Sequence, residues 1–214
     1  MQRLFSLELP FSRFAWNTLV VSLAGLLPLL VLFIAMTPDL AGHLAGGGPA
    51  LSRFVRQVLT NGVPVVFVVN YVAFFLYAST NARGNHERRP GSVLFLDVAA
   101  RLVAFIVLHI LIYVLSADWF GSFGGSRATA VRVVAPTLAR SAFFENISGV
   151  YLYATLVSAL PLYGTAIENS GTLGRLARRF PGRSGSLVIA TAFFAVSVLA
   201  LTAFSALLVW WQTP

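Results

Sequence analysis

The segment Leu94–Tyr113, LFLDVAARLVAFIVLHILIY, is an apolar run long enough to cross a lipid bilayer as one helix. A helix rises about 1.5 Å per residue, so roughly 20 residues span the hydrocarbon layer. Three ionisable side chains, Asp97, Arg101 and His109, interrupt this run. A charge at the centre of an inserted helix costs roughly 2.5 to 3.5 kcal/mol on insertion scales, so we expect these side chains to be paired or functional.

The overall composition supports the same interpretation. Hydrophobic residues make up 57% of the 214 positions and charged residues 10%. Soluble domains average roughly 45 to 50% apolar and about 25% charged residues, so this chain has too few charges for a water-exposed surface. We therefore predict an all-α polytopic integral membrane protein that forms a single transmembrane domain over residues 1–214.

The apolar residues fall into five blocks, which predict about five transmembrane helices. The predicted spans cover residues 16–36, 63–78, 92–115, 149–167 and 186–211. The first block exceeds the roughly 7 to 15 apolar residues of a signal peptide and lacks a clear cleavage site, so we expect an uncleaved anchor. Pro28 and Pro161 lie within two of the spans and should bend them, because proline removes a backbone donor.

Two segments outside the spans are predicted to lie at the membrane interface. Met1–Phe14 alternates charged and apolar residues. Leu51–Leu59 repeats apolar residues at helical spacing, which predicts a short amphipathic helix in the interface. We expect Asn61, Gly62 and Pro64 to end this helix before the second span begins.

The two outer connections differ in length. Thr37–Pro49 is predicted to be a glycine-rich loop. Ala117–Ile147 is the longest connection, with a turn expected at Gly124 and Gly125 followed by a surface helix. Pro136 should lie in the first turn of that helix, where its missing amide costs nothing.

The distribution of arginine predicts the orientation, because short cytoplasmic loops retain positive charge. All fifteen basic residues are arginine, which indicates a bacterial chain from a GC-rich genome. With the N-terminus inside, the cytoplasmic segments hold nine arginines and the outer segments five, so we predict a multi-pass inner-membrane protein with its C-terminus in the periplasm. The four tryptophans fall at predicted span boundaries, as expected for headgroup-level anchors: Trp16, Trp119, Trp210 and Trp211.

The net charge of +8 predicts lipid partners rather than nucleic acid, because the arginines flank apolar blocks. Gly171–Arg183, GTLGRLARRFPGR, could cradle a phosphate but lacks a Walker ending, so an ordinary basic loop against anionic lipid is favoured. The arginines expected to bind lipid headgroups are Arg88, Arg89, Arg175, Arg178, Arg179 and Arg183.

Asp97 and Arg101 are four residues apart, which places them about 40° apart around a helix. The acid precedes the base, the better orientation for a helical ion pair, so the two side chains should touch. The favoured interpretation is a structural pair or an interhelical clamp. The alternative is a relay for protons, ions or a substrate, the usual functional use of intramembrane charges.

His109 lies twelve residues beyond Asp97, about 18 Å along the helix and about 120° around it, so it should not share a site with the ion pair. A hydrogen-bonded packing role is favoured, and a pigment or haem ligand or a proton carrier is the alternative. Paired histidine ligation has no second candidate in a span, because His43 and His86 lie in predicted loops. No cofactor is otherwise predicted.

The remaining polar groups of the spans are expected to form interhelical hydrogen bonds, worth about 0.6 kcal/mol on average. Alternatively, Pro161 and Gly164 could expose backbone carbonyls to a cavity. The polar groups are Asn70 in the second span, Tyr151, Tyr153, Thr155, Ser158 and Tyr163 in the fourth, and Glu168 at its inner end.

The sequence contains no cysteine, so disulfides, thiolate metal sites and cysteine nucleophiles are excluded. It also lacks a His/Glu metal box, a Gly-x-Ser-x-Gly elbow and a dinucleotide fingerprint. No catalytic residue and no metal site is therefore predicted, and an enzymatic activity has no support from motifs.

Three functions remain open. The favoured one is a non-catalytic accessory, assembly or scaffold subunit of a larger inner-membrane complex, with respiratory and photosynthetic complexes as candidates. Its partners would be other membrane subunits or further copies of the chain, together with lipid. The second is a small oligomeric transporter or channel that uses Asp97 and Arg101. The third is a lipid-modifying or haem-binding membrane enzyme.

Overall fold

The computed structural model describes residues 4–82, 90–168 and 171–179, together with isolated positions of the last apolar block. Its α-helices are α1 (Phe11–Met36), α2 (Leu40–Ala45), α3 (Gly48–Gln57), α4 (Val63–Ala82), α5 (Pro90–Phe120), α6 (Arg127–Ala142), α7 (Ile147–Val157), α8 (Leu160–Glu168) and α9 (Gly171–Ala177). A π-helical turn, Val58–Gly62, joins α3 to α4, and a 3-10 turn, Ser122–Gly125, precedes α6.

Four stretches of the described chain are helical, long enough and apolar enough to cross a membrane. They correspond to the first four predicted spans, and the all-α polytopic membrane fold is confirmed. The fifth predicted span, residues 186–211, lies outside the described residues except for isolated positions. The four stretches are Phe11–Met36, Gly48–Thr80, Leu94–Phe120 and Ile147–Glu168.

Part of the N-terminal segment, which was predicted to lie at the membrane interface, packs into the helix bundle. Helix α1 begins directly after Pro10 and is unbroken through Pro28. Before it, the Phe5 side chain is fully buried, and its ring stacks on Phe74 of α4 with 3.9 Å between the ring centroids. The Phe14 ring meets Phe5 edge-on, at 5.7 Å between centroids. The segment before α1 is therefore anchored in the helix bundle by an aromatic contact.

The prediction that Asn61, Gly62 and Pro64 end the amphipathic helix is wrong. The chain passes from α3 through the π-helical turn into α4, and the Val63 amide donates to the carbonyl of Val58, five residues earlier. The wider turn accommodates Pro64, which would remove a bond from a regular α-helix and crowd the preceding turn. Residues that usually end a helix therefore change its winding at this site, and the helix continues.

Two predictions about the connections Thr37–Pro49 and Ala117–Ile147 are also wrong. The expected loop Thr37–Pro49 contains the short helix α2 and the start of α3. Pro136 is the tenth residue of α6, not part of its first turn, because the helix already begins at Arg127. Ser126 caps that start, since its hydroxyl accepts a hydrogen bond from the amide of Thr129 at 3.2 Å. The expected glycine turn is present, with positive φ at Gly124 and Gly125.

Helix α7 lies at the centre of the bundle and packs against α1, α4, α5 and α6. The bend expected at Pro161 is present, because a turn at Ser158 and Ala159 separates α7 from α8. In the most apolar part of the α7–α8 span, 72% of residues are buried, whereas the corresponding figure for α5 is 17%. The candidate span with the lowest mean hydropathy is therefore the most buried one.

Close contact between α1 and α7–α8 depends on Gly25. A Cβ atom on this glycine would lie 2.8 Å from the Ala154 carbonyl oxygen and would also collide with the Ser158 hydroxyl. The Ser158 hydroxyl lies between the two helices, since it is 2.6 Å from the Ala154 carbonyl and 3.2 Å from the Val21 carbonyl of α1. Such small residues allow membrane helices to approach closely.

Candidate functional site

Asp97 and Arg101 form an ion pair on one face of α5. The Arg101 Nε donates to Asp97 Oδ2 at 2.7 Å, and Nη2 donates to Asp97 Oδ1 at 3.3 Å. Arg101 is 0% exposed and Asp97 is 6% exposed. The contact expected from their four-residue spacing is therefore present, and both charges are enclosed by neighbouring helices.

The guanidinium of Arg101 also joins α5 to two other helices. Its Nη1 donates to the side-chain oxygen of Asn70 on α4 and to the backbone carbonyl of Thr155 on α7, the latter at 3.0 Å. Its Cζ lies 4.7 Å from the centre of the Phe74 ring, which adds a cation–π contact from α4. Every nitrogen of the guanidinium therefore donates to a partner.

Two further hydrogen bonds extend the cluster to the remaining helices. The Tyr163 hydroxyl of α8 donates to Asp97 Oδ2 at 2.8 Å. The Asn70 side-chain amide donates to the Ser22 hydroxyl of α1 at 2.8 Å. We call this cluster the polar clamp, and its members are Ser22, Asn70, Asp97, Arg101, Thr155 and Tyr163. It links all four candidate spans, and each of its residues is buried.

The polar clamp has the composition that a buried ion pair requires. Each buried ion loses several kcal/mol of hydration, and attraction between the charges compensates only when further hydrogen bonds satisfy both groups. Here Asn70, Tyr163 and the Thr155 carbonyl supply those bonds. The two formal charges cancel, so the cluster presents no net charge to the surrounding apolar side chains.

A cleft between α4 and α5 has Asp97 among its lining residues. Its volume is about 240 Å³. Leu76 and Leu96 lie at its rim, where they are 46% and 58% exposed. The cleft is lined by Ala73, Leu76, Tyr77, Thr80, Leu96, Asp97 and Ala100. The wall of the cleft is almost entirely apolar and the Asp97 side chain is only 3% exposed, so the polar clamp remains enclosed on this side as well.

His109 makes its described contacts within α5 and not with the polar clamp. Its Nδ1 lies 3.0 Å from the carbonyl oxygen of Phe105, and its ring lies 4.0 Å from the Phe105 ring. The side chain is 5% exposed. Among the residues that the structure describes, no group of three or more His, Asp or Glu side chains could hold a metal ion.

The other predicted site residues are scattered. Glu168 ends α8 with its side chain exposed. Arg175, Arg178 and Arg179 are exposed at or just beyond α9, while Arg88, Arg89 and Arg183 lie outside the described residues. None of the described arginines in this group joins the polar clamp.

An ion pair at the opposite end of α5 links this helix to the start of α6. Arg127 Nη2 lies 2.8 Å from the Asp118 carboxylate, and both groups are accessible. Hydrogen bonding to Asp118 raises the pKa of the Arg127 guanidinium above its usual value. Exposed pairs of this kind contribute little to stability, so this contact positions the start of α6 and does not resemble a reactive site.

Several residues of the fourth span and of the connection before it have roles that the sequence did not reveal. Asn146 caps α7 by accepting from the Gly149 amide at 2.9 Å, and its own amide donates to the Thr137 carbonyl of α6 at 3.1 Å. Tyr153 donates to the carbonyl of Ala142 at the end of α6. These bonds hold α6 against α7.

Two of the interhelical hydrogen bonds predicted for the fourth span are absent: the Thr155 hydroxyl donates to the carbonyl of Leu152 in its own helix at 2.7 Å, and Tyr151 forms none. The Tyr151 hydroxyl is buried and has no hydrogen-bond partner in the described part of the chain. A Cβ atom on Gly62 would lie 2.9 Å from this hydroxyl, so the ring packs directly on the π-helical turn. The side chain therefore contributes packing and not an interhelical hydrogen bond.

No family model, curated protein or solved structure matches the chain. The polar clamp, the cleft at Asp97 and the distribution of apolar surface are therefore the features that bear on function.

Proposed function

We propose that this protein is a non-catalytic accessory, assembly or scaffold subunit of a larger complex in a bacterial inner membrane. The supporting observation is the polar clamp, in which Asp97 and Arg101 neutralise each other and are linked to the other three candidate spans, to α1 through Asn70 and Ser22. A relay needs a group that exchanges partners. Arg101 instead has every guanidinium nitrogen engaged and no exposed surface, which suits a role in holding helices together.

The outer surface of the bundle supports this proposal. Helices α1 and α5 bury only 22% and 17% of the residues in their most apolar stretches. Their remaining apolar side chains face outward, where lipid or the helices of neighbouring subunits would cover them. A rigid core with broad apolar faces is the arrangement expected of a subunit that other helices dock against.

The proposed orientation keeps the N-terminus cytoplasmic and the C-terminus periplasmic. In this orientation Arg175, Arg178 and Arg179 lie at the inner leaflet, where anionic headgroups attract basic side chains. Their exposure is consistent with headgroup contact. A cysteine introduced near Arg175 should react with an impermeant thiol reagent only in inverted membrane vesicles.

Photo-crosslinking in native membranes tests the scaffold function. The chain has no cysteine, so a single introduced cysteine gives a unique attachment point for a thiol-linked photo-crosslinker. Val103→Cys lies on the outer face of α5, whereas the matched control Val66→Cys is fully buried. We expect Val103→Cys to yield discrete protein adducts that migrate with the tagged chain in mild detergent, and Val66→Cys to yield none.

A chain that purifies as a lone monomer, with no protein adducts from cysteines placed around the outer faces of α1 and α5, would overturn the scaffold function. Adducts at one face only would identify the docking helix. Adducts to a second tagged copy would identify self-association as the mode of assembly.

A small transporter or channel is the second candidate, and the cleft beside Asp97 favours it. This alternative predicts a proton flux in proteoliposomes, read with a pH-sensitive dye, that Asp97→Asn abolishes while the protein still elutes as a folded species. The scaffold function predicts no such flux from the unaltered chain. The measurement therefore separates the two functions directly.

A further inference from the structure

Helix α3 and the π-helical turn that follows it carry an apolar stripe that the helix bundle does not cover. Leu51, Val55 and Leu59 follow one another at four-residue spacing and are 40%, 42% and 61% exposed. Phe54 and Val58, on the adjacent edge of the same face, pack against the bundle core. Within the described part of the chain, α3 packs mainly against α2 and the π-helical turn. The stripe is therefore available to a partner outside the bundle.

The opposite side of α3 is basic. At about 100° per residue, Arg53 and Arg56 lie roughly opposite Leu51 around the helix, and both arginine side chains are exposed. The Arg53 Nε donates to the Pro49 carbonyl of its own helix at 3.2 Å. Helix α3 contains no acidic residue. Arginine on one side and apolar residues on the other are typical of helices that lie on an anionic lipid surface.

The length of the helix that contains α3 exceeds the thickness of a membrane. The helical stretch Gly48–Thr80 has 33 residues, so it would measure about 50 Å if it were straight. A bilayer is about 40 to 45 Å thick with its headgroups. Since α4 supplies the apolar part that crosses the hydrocarbon layer, an upright α3 would hold Leu51 and Val55 in water. A bend that lays α3 on the membrane surface would bury them.

The π-helical turn supplies the bending point. Here the Val63 amide donates to the Val58 carbonyl, five residues earlier, and Pro64 has no amide hydrogen to donate. The Thr60 hydroxyl donates to the Arg56 carbonyl at 2.8 Å, a contact that often bends helices. Sharp kinks in helices occur at proline and at π-helical turns, and this junction has both.

We infer that α3 is a lipid-binding arm that bends at the π-helical turn and lies on an anionic membrane surface. Leu51, Val55 and Leu59 enter the boundary between headgroups and acyl chains, about 5 to 10 Å deep. Arg53 and Arg56 extend to the phosphate groups of the lipids. The inference adds a hinge and a lipid class to the interfacial helix expected from the sequence. It goes beyond the scaffold function and does not depend on it.

Fluorescence quenching of the full chain in nanodiscs tests the arm. The chain has no cysteine, so Val55→Cys carries a single NBD label, and Gln57→Cys, on the polar side of α3, is the matched control. In nanodiscs that contain phosphatidylglycerol, we expect lipids with a doxyl group in the acyl chain to quench the label at Val55→Cys and to leave that at Gln57→Cys unquenched. Equal quenching of the two labels would overturn the inference.

A pair of substitutions tests the lipid class in the Val55→Cys background. Replacement of Arg53 and Arg56 by glutamine should lower the ratio of bent to upright α3 by roughly 30-fold, the combined effect of two basic side chains at an anionic surface. The lifetimes of the label give this ratio. Replacement of phosphatidylglycerol by phosphatidylcholine should also lower it. The control substitutions, Arg132→Gln with Arg140→Gln on α6, should leave it unchanged. A ratio that is the same in both lipids would overturn the assignment of an anionic surface.

A third variant tests the hinge. Pro64→Ala restores an amide hydrogen and favours a regular helix, so it should hold α3 upright and reduce the quenching at Val55→Cys. Val68→Ala, on the exposed side of α4, is the control. Undiminished quenching in a folded Pro64→Ala variant would contradict the bend at this turn. If Pro64→Ala fails to fold, spin labels at Val55→Cys and at Val31→Cys on α1 decide the same point, because their separation should differ between the two lipids only if α3 bends.

Discussion

The two halves of α5 bury ionisable side chains in opposite ways. Arg101 and Asp97 are satisfied by residues of α1, α4, α7 and α8, directly or through Asn70. His109 is just as buried, but its described hydrogen bond is to its own helix, at Phe105. Burial alone therefore does not distinguish a group that joins helices from one that is satisfied locally. The source of the partners distinguishes them, and it determines what removal of each group should cost.

The largest expected effect is that of Arg101→Met. Met retains apolar volume but leaves the carboxylate of Asp97 buried without its counter-charge. Removal of one partner of a buried ion pair costs about 3 to 5 kcal/mol, so we expect a loss of that size in the free energy of unfolding. Unfolding by SDS in mixed micelles, followed by circular dichroism, measures it. A loss below about 1 kcal/mol would show that the pair does not hold the helices together.

The double variant Asp97→Leu with Arg101→Met sharpens this comparison. Apolar residues often replace a complete buried ion pair at little cost, because both desolvation penalties disappear. We expect the double variant to recover at least half of the stability that Arg101→Met loses, although Asn70 and Tyr163 lose partners. The same SDS titration gives the coupling energy by a double-mutant cycle. Additive losses from the two substitutions would contradict the clamp as a coupled unit.

Tyr163→Phe should have an intermediate effect, because it removes one of the hydrogen bonds to Asp97 and keeps the ring in the core. Interhelical hydrogen bonds in membranes average about 0.6 kcal/mol and reach about 1.7 kcal/mol. We expect a value in the upper half of that range, since the acceptor is charged. Tyr113→Phe is the control, because that ring stacks on Phe123 in the connection between α5 and α6. An equal loss in both variants would attribute the effect to the tyrosine hydroxyl in general.

The sequence predicted the contacts that depend on spacing within one helix. Four-residue separation was sufficient for the Asp97–Arg101 pair, and helical geometry predicted that His109 would lie on another part of α5. Contacts between helices were not predictable in this way, because the relative rotation and depth of two helices do not follow from residue spacing. Asn70 and Tyr163 were visible as polar residues, but not as partners of the same ion pair.

The roles of two further members of the polar clamp were even less predictable from the sequence. Ser22 is a small polar residue in a long apolar run, a common feature of membrane helices. Thr155 contributes its backbone carbonyl to Arg101, a group that every residue has. The junction of α3 and α4 was mispredicted for a related reason. Asn61, Gly62 and Pro64 are ordinary helix-ending residues, and the packing of Tyr151 on the π-helical turn that continues the helix is a contact between distant segments.

His109→Leu should have the smallest effect and completes the contrast within α5. The Phe105 carbonyl that His109 contacts can retain its helical hydrogen bond when the imidazole is removed, so no buried group is left without a partner. Leucine fills similar space, and we expect the free energy of unfolding to change less than it does in Tyr163→Phe.

The same preparations of the unaltered chain and of His109→Leu should be compared by visible absorption and by their co-purifying proteins. A Soret band or a subunit that is present only with the unaltered chain would show that the imidazole Nε2 engages an external ligand. In that case the half of α5 that contains His109 would be a second contact site. An imidazole that binds a partner through its second ring nitrogen would no longer be dispensable.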